Sequence, residues 1–510
     1  MLYGVYVNIM GGGKSEPMKI CFINPPFKAE YGKFSRESRS PAIGHSGVLY
    51  YPLWLIYAAA LSEKEGFQIS FIDAPAHPLT EQETLDIVAD NAADAHLFVL
   101  DTSTPSIYSD VKFASALRER YSDAFIVLVG THPTATVTET LEIGHEVNAI
   151  ARREYDVTIL ELARLIDAAD GIPSDERLST VEGLSFRAAN GTVVDNKDRA
   201  PLEDLDEIPM AAAFIKKHLD VFDYVFPAAT YPAIQIFTGR GCPAQCNYCV
   251  YPQVMHGHKY RRRSAENVVG EFQYIADNFP DVKEIVIEDD TFTIDRKRVV
   301  QICEMLIERG LHKRFRWLCN ARVDLDYETM KKMKQAGCRL LIPGVESFNQ
   351  EILRNVKKGT TLQQIENYMQ SAKHAGLLVH ACYMVGNPGE TRATMQETLN
   401  AALRFNTDTA QFFPLIPYPG TEAYVWAKEN GYINGSYEDY VHEDGTVSCV
   451  LDQPELSANE LVEFCQMARK KYYLRPRYIA HRIRMGLTDK EDFKRSWKAF
   501  KKLRQTIFKK

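Results

Sequence analysis

The chain has 510 residues, 45% of them hydrophobic and 25% charged, with a formal net charge of −7 at pH 7. Those values are ordinary for a soluble globular protein of two or three domains with full cores. Ten cysteines in this length exclude a disulfide scaffold, and no run approaches the ~18 apolar residues of a membrane span. Seven cysteines are scattered singly (Cys21, Cys303, Cys319, Cys338, Cys382, Cys449, Cys465), which suits a reducing cytosol. Charge is divided unevenly. From Arg469 to Lys510 there are sixteen Lys or Arg against three acids, so this tail is near +13 and the remainder near −20.

Residues 1–17 lack a basic start followed by an apolar core, so they read as an extension and not as a signal peptide. Gly11-Gly12-Gly13-Lys14-Ser15 looks like part of a phosphate loop, but the motif's first glycine falls at Asn8 and no helical pattern follows. Met18 is therefore the expected functional start. Residues 18–165 form the first predicted domain. Short apolar runs at Lys19–Asn24, Gln68–Asp73, His96–Leu100 and Phe125–Val129 predict strands. Helical patterns at 53–65, 81–91 and 109–121 lie between them. Strands alternating with helices predict a doubly wound parallel sheet, a Rossmann-like α/β domain whose ligand sits beyond the strands' carboxyl ends. Those ends carry Asn24-Pro25-Pro26, Thr102-Ser103-Thr104-Pro105 and Gly130-Thr131-His132-Pro133-Thr134, small and polar as a phosphate-bearing cofactor requires.

Residues 166–230 read as a connector. Asn190-Gly191 between short apolar runs predicts a hairpin, and Leu202–Pro209 a spacer without chemistry. Residues 231–430 repeat the β/α unit. The strand Ala233–Phe237 runs into Thr238-Gly239-Arg240-Gly241-Cys242-Pro243-Ala244-Gln245-Cys246-Asn247-Tyr248-Cys249. Three thiolates at this spacing cap three irons of a [4Fe–4S] cube and leave the fourth open. Structural zinc with His256 or His258 as fourth ligand is the competing reading, disfavoured because such sites use C-x2-C pairs. Five more strand–helix units, with strands at 284–288, 316–320, 339–344, 377–383 and 410–413, predict a partial (β/α)6 barrel with its site at the carboxyl ends. Residues 431–510 form a basic helical C-terminal region. There Phe493, Trp497, Phe500, Leu503 and Ile507 recur at helical intervals among Lys and Arg. That pattern suits an anionic membrane surface or a helix capping the barrel. No base-reading module accompanies the charge, so no nucleic acid is expected.

The loop from Thr238 to Cys249 resembles the cluster loop of radical S-adenosylmethionine (SAM) enzymes, with Tyr248 at their usual aromatic position. By that resemblance Cys242, Cys246 and Cys249 are the catalytic metal ligands, and SAM chelates the open iron and yields a 5′-deoxyadenosyl radical. The resemblance also places Glu288, Asp289 and Asp290 near the SAM amino group, although an acidic turn is equally a helix cap. It puts Asn320, Arg322, Glu346 and Ser347 along the ribose and carboxylate, with buried ion pairs as the alternative. Gly386-Asn387-Pro388-Gly389-Glu390-Thr391 would lie near the adenine, or be an ordinary turn before a capped helix. Tyr383 and His380 flank a strand end and are weaker candidates to face substrate. Arg261-Arg262-Arg263 is either a solvated run or a phosphate contact.

The first domain resembles the cobalamin-binding domain found ahead of many radical SAM domains. Asn24, Thr102, Ser103, Thr104, Gly130, Thr131 and His132 sit where that family holds cobalamin. The Asp-x-His-x-x-Gly signature is absent, and Asp94-Ala95-His96 lacks its glycine, so His96 reads as structural and cobalt as lacking a protein histidine. A flavodoxin-like module with another ligand, or none, stays open. The resemblance implies a cytoplasmic enzyme that is fed by a flavodoxin- or ferredoxin-type one-electron reductant. It would methylate an unactivated carbon of a small-molecule or lipid-linked substrate. Ring contraction, cyclisation or another rearrangement without methyl transfer is the sister reading, and a non-catalytic cobalamin-binding regulator the reading from another class. A SAM-only enzyme with a vestigial first domain also stays open. Tyr51–Ala58 and Lys471–Pro476 look like a subgroup associated with hopanoid and other lipid pathways. Together with the tail, they imply peripheral placement at the inner face of the membrane.

Overall fold

The structure is a computed structural model that describes residues 17–37, 41–44, 47–169, 171–442 and 448–488. The amphipathic pattern over 493–507 and the glycine-rich stretch at 11–15 lie outside the described residues.

Five parallel strands open the chain: β1 (Lys19–Asn24), β2 (Gln68–Asp73), β3 (Ala95–Thr102), β4 (Phe125–Gly130) and β5 (Ala149–Ala151). Two short strands follow, β6 (Leu184–Arg187) and β7 (Val193–Asp195), and the sheet order is β2-β1-β3-β4-β5-β6-β7. The central strands are apolar on both faces because helices cover both. Leu53–Lys64 and Asp156–Ala169 pack on Val99 and Val127, while Glu81–Ala92 and Ile107–Arg120 pack on Leu100, Ile126 and Leu128. The Asn190-Gly191 hairpin forms, but it is more than a spacer. Phe186 pairs with Ala149 antiparallel, so the hairpin satisfies the outer backbone groups of β5 and extends the first sheet. His96 is exposed at the amino end of β3, opposite the ligand-binding ends.

The second sheet has six parallel strands in sequence order: β8 (Ala233–Ile236), β9 (Glu284–Ile287), β10 (Arg316–Ala321), β11 (Cys338–Glu346), β12 (Leu378–Val385) and β13 (Thr409–Pro414). Each strand is followed by helix, and β8 and β13 do not pair, so the barrel is partial as expected. The helix Ala458–Tyr473 seals the outer edge. The Tyr473 hydroxyl donates to the Ala410 carbonyl at 2.6 Å and accepts its N–H at 3.0 Å, removing a free pairing site on β13. Tyr472 donates to the Thr407 carbonyl at 2.6 Å.

The helix Leu53–Lys64 joins the two sheets. Ten of its twelve residues are buried. The Tyr51 N–H donates to Gln235 Oε1 at 2.9 Å, the Phe237 N–H donates to the Tyr57 hydroxyl at 3.0 Å, and Trp54 lies 4.4 Å beneath the Arg240 guanidinium. The two stretches that suggested a lipid-pathway subgroup therefore have packing duties that require no lipid: Tyr51–Ala58 at this junction, and Lys471–Pro476 on the edge of β13.

Candidate functional site

The cysteine loop is built by its neighbours. Just beyond β8, Thr238 donates its N–H and its hydroxyl to the Asp289 carboxylate at 2.5 and 2.6 Å, and Arg298 donates to the Thr238 carbonyl at 2.7 Å. Gly239-Arg240 then pairs antiparallel with Arg261-Arg262, and this short ladder closes the loop at its base. Gly241 has φ +89°, and a Cβ there would stand 2.2 Å from the Lys259 carbonyl oxygen, so the crossing requires glycine. Inside the loop, Gln253 Nε2 donates to the carbonyls of Cys246, Asn247 and Cys249 at 3.2, 3.2 and 3.0 Å. His258 Nδ1 faces those of Cys242 and Ala244 at 3.1 and 2.9 Å. Side chains thus satisfy the loop carbonyls, and Cys242 and Cys246 are 8% exposed free thiols with Cys249 half-buried beside them.

Structural zinc does not fit. His258 is turned to backbone carbonyls, and His256 pairs with Asp290 while stacking between Trp54 and Tyr251. Among the described residues no three His, Cys, Asp or Glu side chains converge as ligands of a single ion. Cys242, Cys246 and Cys249 bring three thiols from a single loop, the donor set that a cluster with one open iron takes.

The acidic turn after β9 does not act as one unit. Asp289 is committed to Thr238, and Asp290 to His256. Glu288, Asn320 and Arg322 are half-buried at the ends of neighbouring strands, where Gln235 donates to Glu288 at 3.4 Å and Arg322 donates to the Lys358 carbonyl at 3.1 Å. Asn320 also donates to the Asp289 carbonyl at 3.0 Å. Ser347 is fully buried 3.2 Å from the Thr398 hydroxyl, a packing role. Gly386 has φ +86°, and its turn lies under Leu461 of the C-terminal helix. Tyr383 stacks on Phe412 in the core, and His380 bonds to Thr409 and Gln411, so neither faces the site. Two of the three arginines of the triplet are buried in ion pairs, and only Arg262 reaches solvent. Arg261 pairs with Glu154 and Arg263 with Glu271, both buried, and Arg262 pairs with Asp295. Two side chains that bear on the loop were missed from sequence, Gln253 and Lys358, and His258, read there only as a possible zinc ligand, braces the loop carbonyls instead. Each acts through contacts 4–16 residues away, or 110 in the case of Lys358 with Tyr248, and no local motif announces them.

At the carboxyl ends of the first sheet, the expected residues largely bond to one another. Asn24 donates to Asp73 at 2.8 Å and accepts from Arg36 at 2.6 Å, and Thr102 donates to the Val129 carbonyl at 2.7 Å. Ser103 meets Ser106 at 2.8 Å, and Thr104 meets His132 Nδ1 at 3.3 Å. A Cβ on Gly130 would stand 2.2 Å from the Thr102 carbonyl oxygen, and Thr131 opens the short helix that follows. Three buried polar atoms here lack a hydrogen-bond partner among the described residues: His132 Nε2, Asp101 Oδ2 and the Tyr155 hydroxyl. Such orphans cost about 1–3 kcal/mol each, and their grouping at this end of the sheet fits a large polar ligand. Burial pushes the His132 imidazole down to about 3, so it stays neutral.

Burial also pushes Asp101 up to about 7, with Arg36 opposing and Asp110 and Asp73 adding to the rise. A carboxyl whose folded pKa lies above its unfolded value near ~3.9 contributes stability at low pH that is lost as pH rises through the folded pKa. Asp101→Asn is therefore expected to stabilise the cofactor-free chain by on the order of 4 kcal/mol at pH 7. The gain should grow between about pH 4 and 7, level off above, and vanish at pH 4 in urea melts.

The two ligand-binding ends meet. The turn Thr131–Ala135 packs on Tyr251–His256 of the cysteine loop, and the Tyr251 hydroxyl donates to the Glu37 carbonyl at 2.7 Å. From the same side, Arg240 reaches Asp156 at 2.7 Å and Glu154 at 3.2 Å.

Comparison with known proteins matches residues 236–402 to the radical SAM superfamily and residues 39–162 to the B12 binding domain. The chain is 28% identical to a protein of Pyrococcus horikoshii named uncharacterized methyltransferase PH0819, covering 91% of this chain and 94% of that one. It is 29% identical to the anaerobic magnesium-protoporphyrin IX monomethyl ester cyclase of Rubrivivax gelatinosus, covering 73% of this chain and 65% of the cyclase. Among solved structures, the radical S-adenosylmethionine methyltransferase TsrM of Kitasatospora setae superposes with TM-score 0.62 at 16% identity, over 84% of each chain. That likeness is one of fold.

Proposed function

The chain belongs to the radical SAM enzymes that carry a B12-binding domain, and from that premise we propose that it methylates an unactivated carbon of a small-molecule substrate. Its cofactors are a [4Fe–4S] cluster, SAM and cobalamin. The observation that carries the methylation reading is the direct packing of the Thr131–Ala135 turn on the cysteine loop, which puts the two cofactor-binding ends against each other. A relative named as a methyltransferase that aligns along 91% of this chain supports the same reading.

When bound, the cluster supplies the electron that cleaves SAM and cobalamin supplies the methyl group. The chain's own residues orient and enclose. In this reading Cys242, Cys246 and Cys249 hold the cluster, and Glu288, Asn320 and Arg322 bind the polar groups of SAM. Glu346, Ser347 and Gly386 shape the wall behind it, while Asp289 and Asp290 brace the loop. His132, Thr104 and Asp101 face cobalamin, and Asn24, Thr102, Ser103, Gly130 and Thr131 form the bonded floor beneath. The domains are taken as 18–165 and 231–430, with a connector that lends its hairpin to the first sheet.

Anaerobic reconstitution with iron, sulfide and hydroxocobalamin, followed by mass spectrometry of the SAM products, tests the proposal. A methylase that uses SAM twice yields both 5′-deoxyadenosine and S-adenosylhomocysteine. Deoxyadenosine alone, with cobalamin bound, moves the reading to cyclisation or rearrangement, which the relative named as a cyclase favours. The electron comes from a flavodoxin- or ferredoxin-type donor in this reading. Peripheral attachment to an anionic membrane, with a lipid-linked substrate, draws support from the helix Pro476–Thr488. Ile479, Ile483 and Leu487 are exposed one helical turn apart beside exposed Arg477 and Arg484. No described helix is long and apolar enough to cross a membrane. Unchanged sedimentation with anionic liposomes after removal of residues 476–510 sinks the attachment.

A further inference from the structure

Lys358 is buried beside the cysteine loop. Its ammonium lies 2.9 Å from Glu346 Oε1 and 3.1 Å from the hydroxyl of Tyr248, the residue just before Cys249. The same nitrogen is 5.9 Å from the centre of the Tyr248 ring. The backbone is shaped to permit this. A Cβ on Gly344 would stand 2.3 Å from Glu346 Oε1 and 2.8 Å from Lys358 Nζ, so a glycine at that position vacates the space of the ion pair. Glu346 itself sits at φ +62°, a left-handed conformation unfavourable for a non-glycine residue that the surrounding contacts must hold. The Lys358 backbone is fixed as well, its carbonyl accepting from Arg322 Nη2 at 3.1 Å. The segment before it lines the loop, because Asn247 donates to the Asn355 and Val356 carbonyls at 3.1 and 3.2 Å. Burial alone would lower the Lys358 pKa, but the Glu346 carboxylate more than offsets it and holds it above its ordinary value, so the charge persists at neutral pH.

We propose that Lys358 is a positioning residue for the cysteine loop: held by Glu346, its ammonium anchors Tyr248 and sets the potential at which the cluster takes up its electron. The proposal rests on the reading that Cys242, Cys246 and Cys249 hold the cluster. The step is the addition of one electron to the oxidised [4Fe–4S] cluster from the external one-electron donor, with no bond made or broken and no proton moved. Hydrogen bonds and charges around the sulfurs set such potentials, and a low-dielectric site magnifies them. A cation stabilises the added negative charge, and the Glu346 carboxylate opposes it.

The test is an electron-paramagnetic-resonance redox titration of the reconstituted full-length chain, after iron and sulfide have been counted in each variant. Lys358→Met is expected to cut the ratio of reduced to oxidised cluster at fixed poise about tenfold, a shift of 59 mV to more negative potential for one electron. Lys358→Arg should stay near the parent, and Glu346→Gln should move the opposite way. A merely structural role does not reverse sign between the two partners. An unchanged potential in Lys358→Met at full iron content, or shifts of one sign in both variants, overturns the proposal. Should Lys358→Met take up no iron, Glu346→Gln decides, since it keeps the ammonium; a shift to more positive potential sustains the proposal and any other result overturns it. A parent chain that takes up no cluster removes the reading beneath the proposal, and the proposal with it.

Discussion

Cys246→Ala is expected to abolish formation of 5′-deoxyadenosine and to cost the reconstituted chain most of its iron. Each thiolate caps one iron, so removal of one leaves that iron without its protein ligand and the cube open to solvent at a second corner. Cys319 and Cys338 lie fully buried on β10 and β11, and Cys303 lies in the helix behind them. Cys319→Ala is the matched control. It removes one buried sulfur at a cost of about 1 kcal/mol and should leave iron content and SAM cleavage near the parent. Iron analysis, the charge-transfer band near the visible region and mass spectrometry of the SAM products together check the pair. Iron retained at parental level in Cys246→Ala would transfer the cluster to other ligands.

The architecture was legible because it is written in period and punctuation. Apolar strand runs alternate with helical patterns in both halves, and the observed strands fall within one or two residues of the runs at 284–288, 316–320 and 410–413. The cysteine loop was legible for a different reason: three thiols, two glycines and a preceding strand are a local arrangement with one economical use. What escaped the sequence is non-local. Asp289 reads as a ligand residue in an acidic turn, and only the fold shows its carboxylate taking both donors of Thr238, 51 residues earlier. Glu346 likewise reads as a carboxylate facing a cofactor until Lys358 is found on its oxygen. The Asn190-Gly191 turn announces a hairpin without saying which sheet edge it completes. Burial alone distinguishes a polar residue that serves a ligand from one that serves the protein, and burial is a property of the assembled chain.

Glu154 bears the largest expected stability effect, because it is the carboxylate on which two buried cations from the other half of the chain converge. Its Oε2 accepts from Arg240 at 3.2 Å and from Arg261 at 3.0 Å, its Oε1 accepts from Arg261 again, and all three side chains are almost fully buried. Arg240 keeps Asp156 when Glu154 is gone, but Arg261 is left with only the Leu202 and His256 carbonyls at 2.8 and 3.3 Å. A guanidinium stranded in a low-dielectric interior makes Glu154→Ala cost about 3–5 kcal/mol. The exposed pair of Lys259 with Glu203 supplies the contrast, and Glu203→Ala should leave the urea midpoint unchanged. The sign of the pH dependence follows from the same contacts. Burial would raise the Glu154 pKa, but Arg240 and Arg261 more than offset it and hold the carboxyl below its ordinary value. Stability from a depressed carboxyl is full above the unfolded pKa near ~4.3 and is lost as pH falls through the folded one. The gap in unfolding free energy between parent and Glu154→Ala should therefore be widest at neutral pH and narrow only below about pH 4. Arg240 stands two residues before Cys242, so the variant should also lose iron faster on dilution into chelator. A gap that widens on acidification would mean that Glu154 is held protonated, and the junction between the halves would then be a neutral hydrogen-bonded contact.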